Sequence, residues 1–470
     1  MTDYEIVVVG AGIGGLTTAA LLAARGMNVC VLERQSAVGG CVSGVEKFGL
    51  TFEPSDGLHA GWGAVGIYER LFAELRVEPP KIVPLDPTYS IRFSNQSEFT
   101  VGRDNRQRDE QLRQFFPECA IDAIDFYEEI SRAGDELHEQ IDSQPDVVWP
   151  LRTLPSLDDR IKNFPLAFRS FLDAQLQLLT QNTSDEISYD HAALALSTAH
   201  GKMFAVEGGA ASIANKLAQS IKNSGGRIRL DAPVLRLAYD ASGNAIGVDL
   251  LSGERVGASK AIVSNLTLWD TYGKLIGLSR TSVPIRTTLK TLTSWGAYLL
   301  FLSLDRDKFE AMPAERLLLL DQQNSEIDLA TNMLFWNAGA RPVAVSEGNR
   351  RAVTVHAFTE AEEWFSFHTD AEDLEQKDQA TMERCWTLLH KAMPELGDSI
   401  EIIDTMTPRD YYEQTRRKFG MVGGRRSHFA GQGQPFLTSI PQLFIVSDTV
   451  TYGRLEGVTR LAWALASYLS

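Results

Sequence analysis

At 470 residues, 44 % of them apolar, the chain has the length for two or three domains and the composition for a large buried core. A formal charge of −16 argues against nucleic acid as a partner and against broad adhesion to anionic membranes, so membrane contact, if made, is peripheral and needs a local apolar patch. No apolar run approaches the ~18 residues of a spanning helix, Met1 leads directly into the first strand, and four cysteines show no C-x-x-C spacing, so a cytoplasmic location without disulfides or a metal site is expected.

Ile6 to Val9 reads as a buried parallel strand. Gly10, Gly12 and Gly15 then supply G-x-G-x-x-G in the run GAGIGG, and Leu16 to Arg25 reads as a helix closed by Gly26. A second strand, Val29 to Leu32, delivers Glu33 eighteen residues past Gly15. Each residue type has a job: Gly10 permits the tight turn, Gly12 lets backbone approach a pyrophosphate, and Gly15 lets the helix pack closely on the strand. The anion then lies at a helix N-terminus, where free N–H groups and the dipole favour it by roughly 0.3–1 kcal/mol. Glu33 can accept both ribose hydroxyls and would repel a 2′-phosphate, which disfavours NADP.

From Gly40 a glycine-rich loop follows, with a short strand at Leu50 to Glu53 and a helix at Tyr68 to Leu75. Tyr89 to Val101 alternates around the turn Ser94-Asn95-Gln96, with Tyr89, Ile91 and Phe93 on one face, and reads as a hairpin outside the nucleotide fold. Helical periodicity dominates from Asp109 to Leu179, broken at Pro117, Pro145, Pro150, Pro155 and Pro165. Phe164, Phe168, Phe171, Leu172 and Leu179 form a stripe that is core, or in part the wall of a site for a long apolar ligand. Glu207-Gly208-Gly209 returns the chain to the first domain. A helix from Ala211 to Lys222 follows, stopped by Gly225-Gly226, and Arg227 to Leu237 reads as one strand. Ser252-Gly253 turns a hairpin, and Ala261 to Ser264 is a short strand leading to Asn265. Tyr298 to Leu304 and Ala352 to Phe358 are further strands, Ala371 to Met393 is helical, and Asp404 to Asp410 opens a glycine- and arginine-rich loop that runs to Pro435.

The last thirty residues repeat the opening logic. Leu443 to Val446 is a strand ended by Ser447-Asp448, and Gly457 precedes a helix with Val458, Leu461, Ala462, Leu465 and Leu469 on one face. An acid there can hydrogen-bond a ribityl hydroxyl, and the helix start can hold negative charge developing on a reduced flavin.

With these residues assembled, the chain resembles the FAD-dependent phytoene desaturase and carotenoid isomerase family, within the amine oxidase class of flavoproteins. The marks are VVVGAGIGGLTTAALLAARG, LERQSAVGG, FGLTFEPSDG, VEGGAASIANKLA with GGRI after it, IVSNLTLWDTYGKL, TPRDYY and LFIVSDTVTYGRLEGV. The resemblance implies an α/β fold, with a Rossmann-like FAD-binding domain interwoven with an α+β substrate domain of mixed sheet and helices. Residues 1–78, 201–265 and 400–470 would form the FAD-binding domain, and 79–200 and 266–399 the substrate domain. FAD would be held without a covalent link. Gly10, Gly12 and Gly15, with Ile13 and Gly14 between them, would meet the pyrophosphate, and Glu33, beside Arg34, the ribose. Gly39, Gly40 and Cys41 would form the second phosphate approach, and Val234 would meet the adenine. Asp448, next to Ser447, would contact the ribityl chain, and Gly457 and Val458 the pyrimidine edge of the flavin.

Three positions depart from the family pattern. Cys41 stands where many members carry arginine, Ser447 replaces the glycine of a Gly-Asp pair, and Gly453-Arg454-Leu455-Glu456-Gly457 replaces a glycine- and proline-rich run. Carotenoid-type substrates have no amine or alcohol to activate, so few protein groups are needed. The candidates beside the flavin are Asp56, His59, Trp62, Arg454 and Glu456; the last two must pair with each other, face solvent or hold a polar substrate group, and an extended stretch would allow them to pair at a tunnel mouth. The expected activity is a desaturase or isomerase acting on an apolar polyene or related lipid. An oxidase of an amine, amino acid or other small polar metabolite is the alternative, favoured by Arg454 and Glu456. GDP-dissociation inhibitors share the architecture without flavin, but here the nucleotide fingerprint is intact.

Overall fold

The strand Thr2–Val9 runs inside a seven-stranded sheet and pairs in parallel with Val29–Leu32 on one side and Arg255–Ser264 on the other. The computed structural model describes residues 2–148, 155–291, 294–312, 314–321, 328–339, 349–365, 371–422, 435–451 and 454–470. All four residues of Val29–Leu32 are buried, as parallel strands covered on both faces require. The cover on one face is the helix Ile13–Ala24, against which Gly209–Asn223 and Arg454–Leu469 pack.

Two expected strands are reassigned. Arg227 to Leu237 is not one strand: Arg227–Arg229 pairs with Val29–Leu32 at one edge, while Val234–Tyr239 pairs with Ala245–Leu250 at the other. Asp231 adopts φ 51° between them and Pro233 keeps the chain out of a ladder, so the segment crosses beneath the strand ends instead of continuing. Ala261 to Ser264 is the end of the ten-residue strand Arg255–Ser264, whose start pairs with Ala245–Leu250 and whose end pairs with Leu443–Ile445.

The second sheet also has seven strands, in the order Ile400–Met406, Trp295–Asp305, Arg350–Glu360, Met333–Asn337, Arg316–Leu320, Tyr89–Phe93 and Glu98–Val101. The expected hairpin lies at its edge, with Tyr89, Ile91 and Phe93 buried. Helices Asn105–Phe115, Ala120–Ser143, Leu166–Thr180 and Tyr189–Ala199 cover this end. Phe168, Phe171 and Leu172 of the apolar stripe are core among them, with Phe164 packed against it.

Two allotments by position shift. Ile400–Met406 pairs with Trp295–Asp305 and so belongs to the second sheet. Leu268, Trp269, Tyr272, Leu275 and Ile276, placed by sequence in the substrate unit, pack into the core of the first. Asp404 to Asp410 is not the start of a loop: it ends that strand and enters the helix Pro408–Thr415 through a capping box between Thr407 and Asp410. The rest of the expected loop, 423–434, lies outside the described residues, as do Pro150 and Gly453. Among the described residues no helix is long and apolar enough to cross a membrane.

Candidate functional site: a nucleotide cleft joined to an apolar chamber

The carboxyl ends of the parallel strands open into a cleft of about 460 Å³, at the place where α/β sheets bind ligands. The glycine run forms its floor. Gly10 has φ +97°, a conformation an L side chain rarely adopts, and a Cβ on Gly12 would stand 2.6 Å from Asn265 Oδ1. Gly15 does not line the cleft; a Cβ there would stand 2.3 Å from the Gly10 carbonyl oxygen, so its smallness sets the distance between helix and strand. Ile13 and Gly14 line the cleft at the start of the helix, whose N-cap, Gly12, brings no side-chain hydrogen bond. The first N–H groups of that helix are therefore left for an anion.

Glu33 is buried at the end of its strand. Its Oε2 accepts the Ala11 N–H at 2.8 Å and its Oε1 the Gln35 N–H at 2.8 Å, which ties the glycine turn to the second strand and leaves lone pairs for ribose hydroxyls. Arg34 also lines the cleft, donating to the Gln414 carbonyl. Gly39 donates its N–H to the Ala11 carbonyl at 2.8 Å, and Gly40 lies against Gly12, so the second glycine pair is clamped on the first. Val234 lines the far end beside Pro233 and Leu235. Glycine cradle, uncapped helix start, buried acid and apolar end together match the phosphate, ribose and base of a dinucleotide.

At the other end of the cleft, Cys41, Val42, Asp448 and Leu455 also line a second cavity. Sequence reasoning missed the main residue of this junction, Arg417. Its Nη2 lies 2.8 Å from Asp448 Oδ2, and its Nη1 lies 3.5 Å from Cys41 Sγ. Burial opposes the charged guanidinium, but Asp448, Cys41 and Tyr411 outweigh it and raise the Arg417 pKa. The cation absent at position 41 thus reaches the same point from another segment. Asn265 was also missed as a site residue: it fills the space among Gly10, Gly12, Gly14 and Gly15 and donates to the Val446 carbonyl at 2.5 Å. Ser447 is buried away from the cleft and caps the turn at Thr449, and Gly457 faces a side branch of the chamber while Val458 lines the cleft. Gly457 does not precede the last helix; it lies within Arg454–Leu469.

The chamber beyond the junction measures about 230 Å³, with a branch of about 130 Å³. Leu58, Met203, Phe335 and Phe358 form apolar wall, and Leu178 and Leu179 bring the end of the stripe helix into it. All four proposed catalytic side chains, Asp56, His59, Arg454 and Glu456, line it as well. His59 is buried, its backbone paired in both directions with Phe204 and its Nε2 3.5 Å from Glu53 Oε1. Burial alone would raise the Glu53 pKa, but His59, the Ser55 hydroxyl and the Ala210 N–H outweigh it and hold the carboxyl at about 2.

The expected Arg454–Glu456 pair does not form. Both lie in the first turn of a helix, not in extended chain, so their side chains diverge. Arg454 pairs with Asp56, while Glu456 pairs with Arg460 at 2.7 Å, which also reaches Asp142 at 2.5 Å. Trp62 does not line the chamber; it stacks on Tyr68 with ring centroids 4.5 Å apart, inside the core of the first unit.

The chain is 25 % identical over 495 residues to a chloroplastic prolycopene isomerase of Daucus carota, covering 98 % of this chain and 78 % of that one. It is 26 % identical over 296 residues to a neurosporene-forming phytoene desaturase of Rhodobacter capsulatus, covering 57 % of this chain and 54 % of that one. In fold it matches an oxidoreductase from Methanosarcina mazei with a TM-score of 0.68 at 16 % identity, over 99 % of this chain and 100 % of the other. The family model described as flavin containing amine oxidoreductase matches residues 13–460. The chain belongs to that family and is an FAD-dependent oxidoreductase.

Proposed function

We propose that the protein desaturates or isomerises an apolar polyene or related lipid held in the chamber with one segment at the Cys41–Asp448 junction. The observation that carries this reading is the wall: Leu58, Leu178, Leu179, Met203, Phe335 and Phe358 face a cavity that opens directly on the cofactor cleft. Relatives named for prolycopene isomerisation and phytoene desaturation support it.

When bound, FAD supplies two-electron chemistry that no side chain provides. The chain's own work is to orient and to exclude water. Glu33 and the glycine turns hold the nucleotide half, Arg417 and Asp448 hold the junction, and the apolar wall aligns the chain of double bonds. Of the chamber's histidines, His59, with Glu53 Oε1 3.5 Å from its Nε2, is the one assigned to hold or move a proton. Asp56 holds Arg454, and Arg460 holds Glu456. The oxidase reading drew on two charges beside the flavin; their neutralisation by these partners removes its main support.

Incubating the holoenzyme with cis-polyenes or phytoene in liposomes and resolving the products by chromatography tests the reading. New double bonds or altered geometry are expected. An unchanged polyene pool, with turnover only of amines, contradicts it.

A further inference from the structure

The chamber is apolar along most of its length but carries one polar end. Arg454 borders both the main chamber and its branch. One face of its guanidinium meets Asp56, while its Nη1 is buried and has no hydrogen-bond partner among the described residues. A buried donor left without an acceptor costs free energy, and native interiors rarely leave one without reason. We propose that Nη1 is the receptor for a neutral oxygen on the substrate, so that a polyene ending in a carbonyl or hydroxyl group is bound in preference to the corresponding hydrocarbon. This deepens the polyene reading and rests on it.

The surrounding charges select the kind of oxygen. Four carboxylates, Glu53, Asp56, Asp142 and Glu456, line or adjoin this end, against the three guanidiniums of Arg316, Arg454 and Arg460. A substrate carboxylate would add to the negative excess in a poorly solvated site. An ammonium has no lone pair to offer the free N–H. A carbonyl or hydroxyl oxygen accepts that bond without adding charge. Anchoring one terminus would also fix which double bond stands at the Cys41–Asp448 junction, making Arg454 a positioning and specificity residue.

The test is a titration of the anaerobic holoenzyme in detergent micelles with four related probes, read by perturbation of the flavin absorbance. The probes are β-carotene, β-apo-8′-carotenal, the corresponding alcohol and the corresponding acid. The aldehyde and alcohol are expected to bind about tenfold or more tightly than the hydrocarbon and the acid, as a hydrogen bond from a charged donor implies. In the double variant Asp56→Asn/Arg454→Met, which removes both charges together, the aldehyde and the hydrocarbon should bind alike. Equal or tighter binding of β-carotene or the acid by the wild-type protein overturns the proposal while leaving the polyene reading intact, and so does an aldehyde preference that survives in the double variant. If none of the four perturbs the flavin, the polyene reading fails and takes this proposal with it.

Discussion

Glu33 links two things that the sequence presents separately, the glycine turn and the second strand, and lines the cleft proposed to hold the nucleotide. In Glu33→Ala the Ala11 and Gln35 N–H groups lose their acceptor, as would the ribose hydroxyls proposed to bond it. Charge-assisted hydrogen bonds of roughly 1.5–3 kcal/mol translate into a ten- to hundredfold weaker FAD affinity. Fluorescence titration of the apoprotein with FAD checks this, and wild-type affinity in the variant would refute the assignment. Arg417 poses the complementary case. Arg417→Met leaves Asp448 in a partly buried site without its cation and should destabilise by about 3–5 kcal/mol, while Arg417→Met/Asp448→Asn recovers part of the loss, both read by chemical denaturation. Cys41→Ser should keep its flavin content and activity, since the nearby positive charge comes from Arg417. Glu33 was legible because the chemistry of ribose fixes its spacing from the glycines. Arg417 was not, because its partner lies thirty-one residues further along and only folding brings them together.

At the scale of elements, close approach governs the opening helix. A methyl group at Gly15 would meet the Gly10 carbonyl oxygen at 2.3 Å, a backbone atom that cannot rotate away. Gly15→Ala should therefore displace the helix start, lowering both flavin content and melting temperature. Gly253, at φ +87° in an open turn with nothing within 4 Å of a built Cβ, should accept asparagine with a change below about 1 kcal/mol. A pair of variants that behaved alike would remove close packing as the explanation. Strand periodicity located most ladders but not their breaks. Arg227 to Leu237 has the apolar content of one strand, and the signal of its division was Pro233, which cannot join a central ladder. The last helix begins at Arg454, one turn before Gly457, because glycine is tolerated within a first turn; that turn sends Arg454 and Glu456 to different partners.

In the whole molecule each sheet carries its own core, and titratable histidines occur both on the chamber wall, at His356, and away from it, at His200 beside Gly102 and Tyr127. Burial holds His200 and His356 at about 4, well below the ordinary histidine value of 6.5. The unfolded chain takes up these protons near pH 6.5 and the folded chain only near 4. Between those values the unfolded state binds more protons, so stability is fully present above pH 6.5 and is lost as pH falls toward 4. Melting temperature should drop across that window, and His356→Gln should flatten part of the slope; a flat profile in the wild-type protein would contradict the assignment. The nucleotide half of this architecture was legible because phosphate and ribose impose residue types at fixed spacings. The polar end of the chamber was legible in Asp56, His59, Arg454 and Glu456, but its apolar wall only as the stripe from Phe164 to Leu179, since the same apolar residues make core or cavity wall depending on what faces them.

An apolar polyene, not a polar amine, is the ligand proposed to meet the flavin at the Cys41–Asp448 junction. This assignment is tested most directly by mixing the holoenzyme without oxygen with carotenes in liposomes in one series and with amines and amino acids in another, while recording the flavin absorbance near its visible maximum together with the polyene bands. The polyene series alone should change both the flavin spectrum and the polyene bands. Bleaching by an amine with the polyene series silent would contradict it.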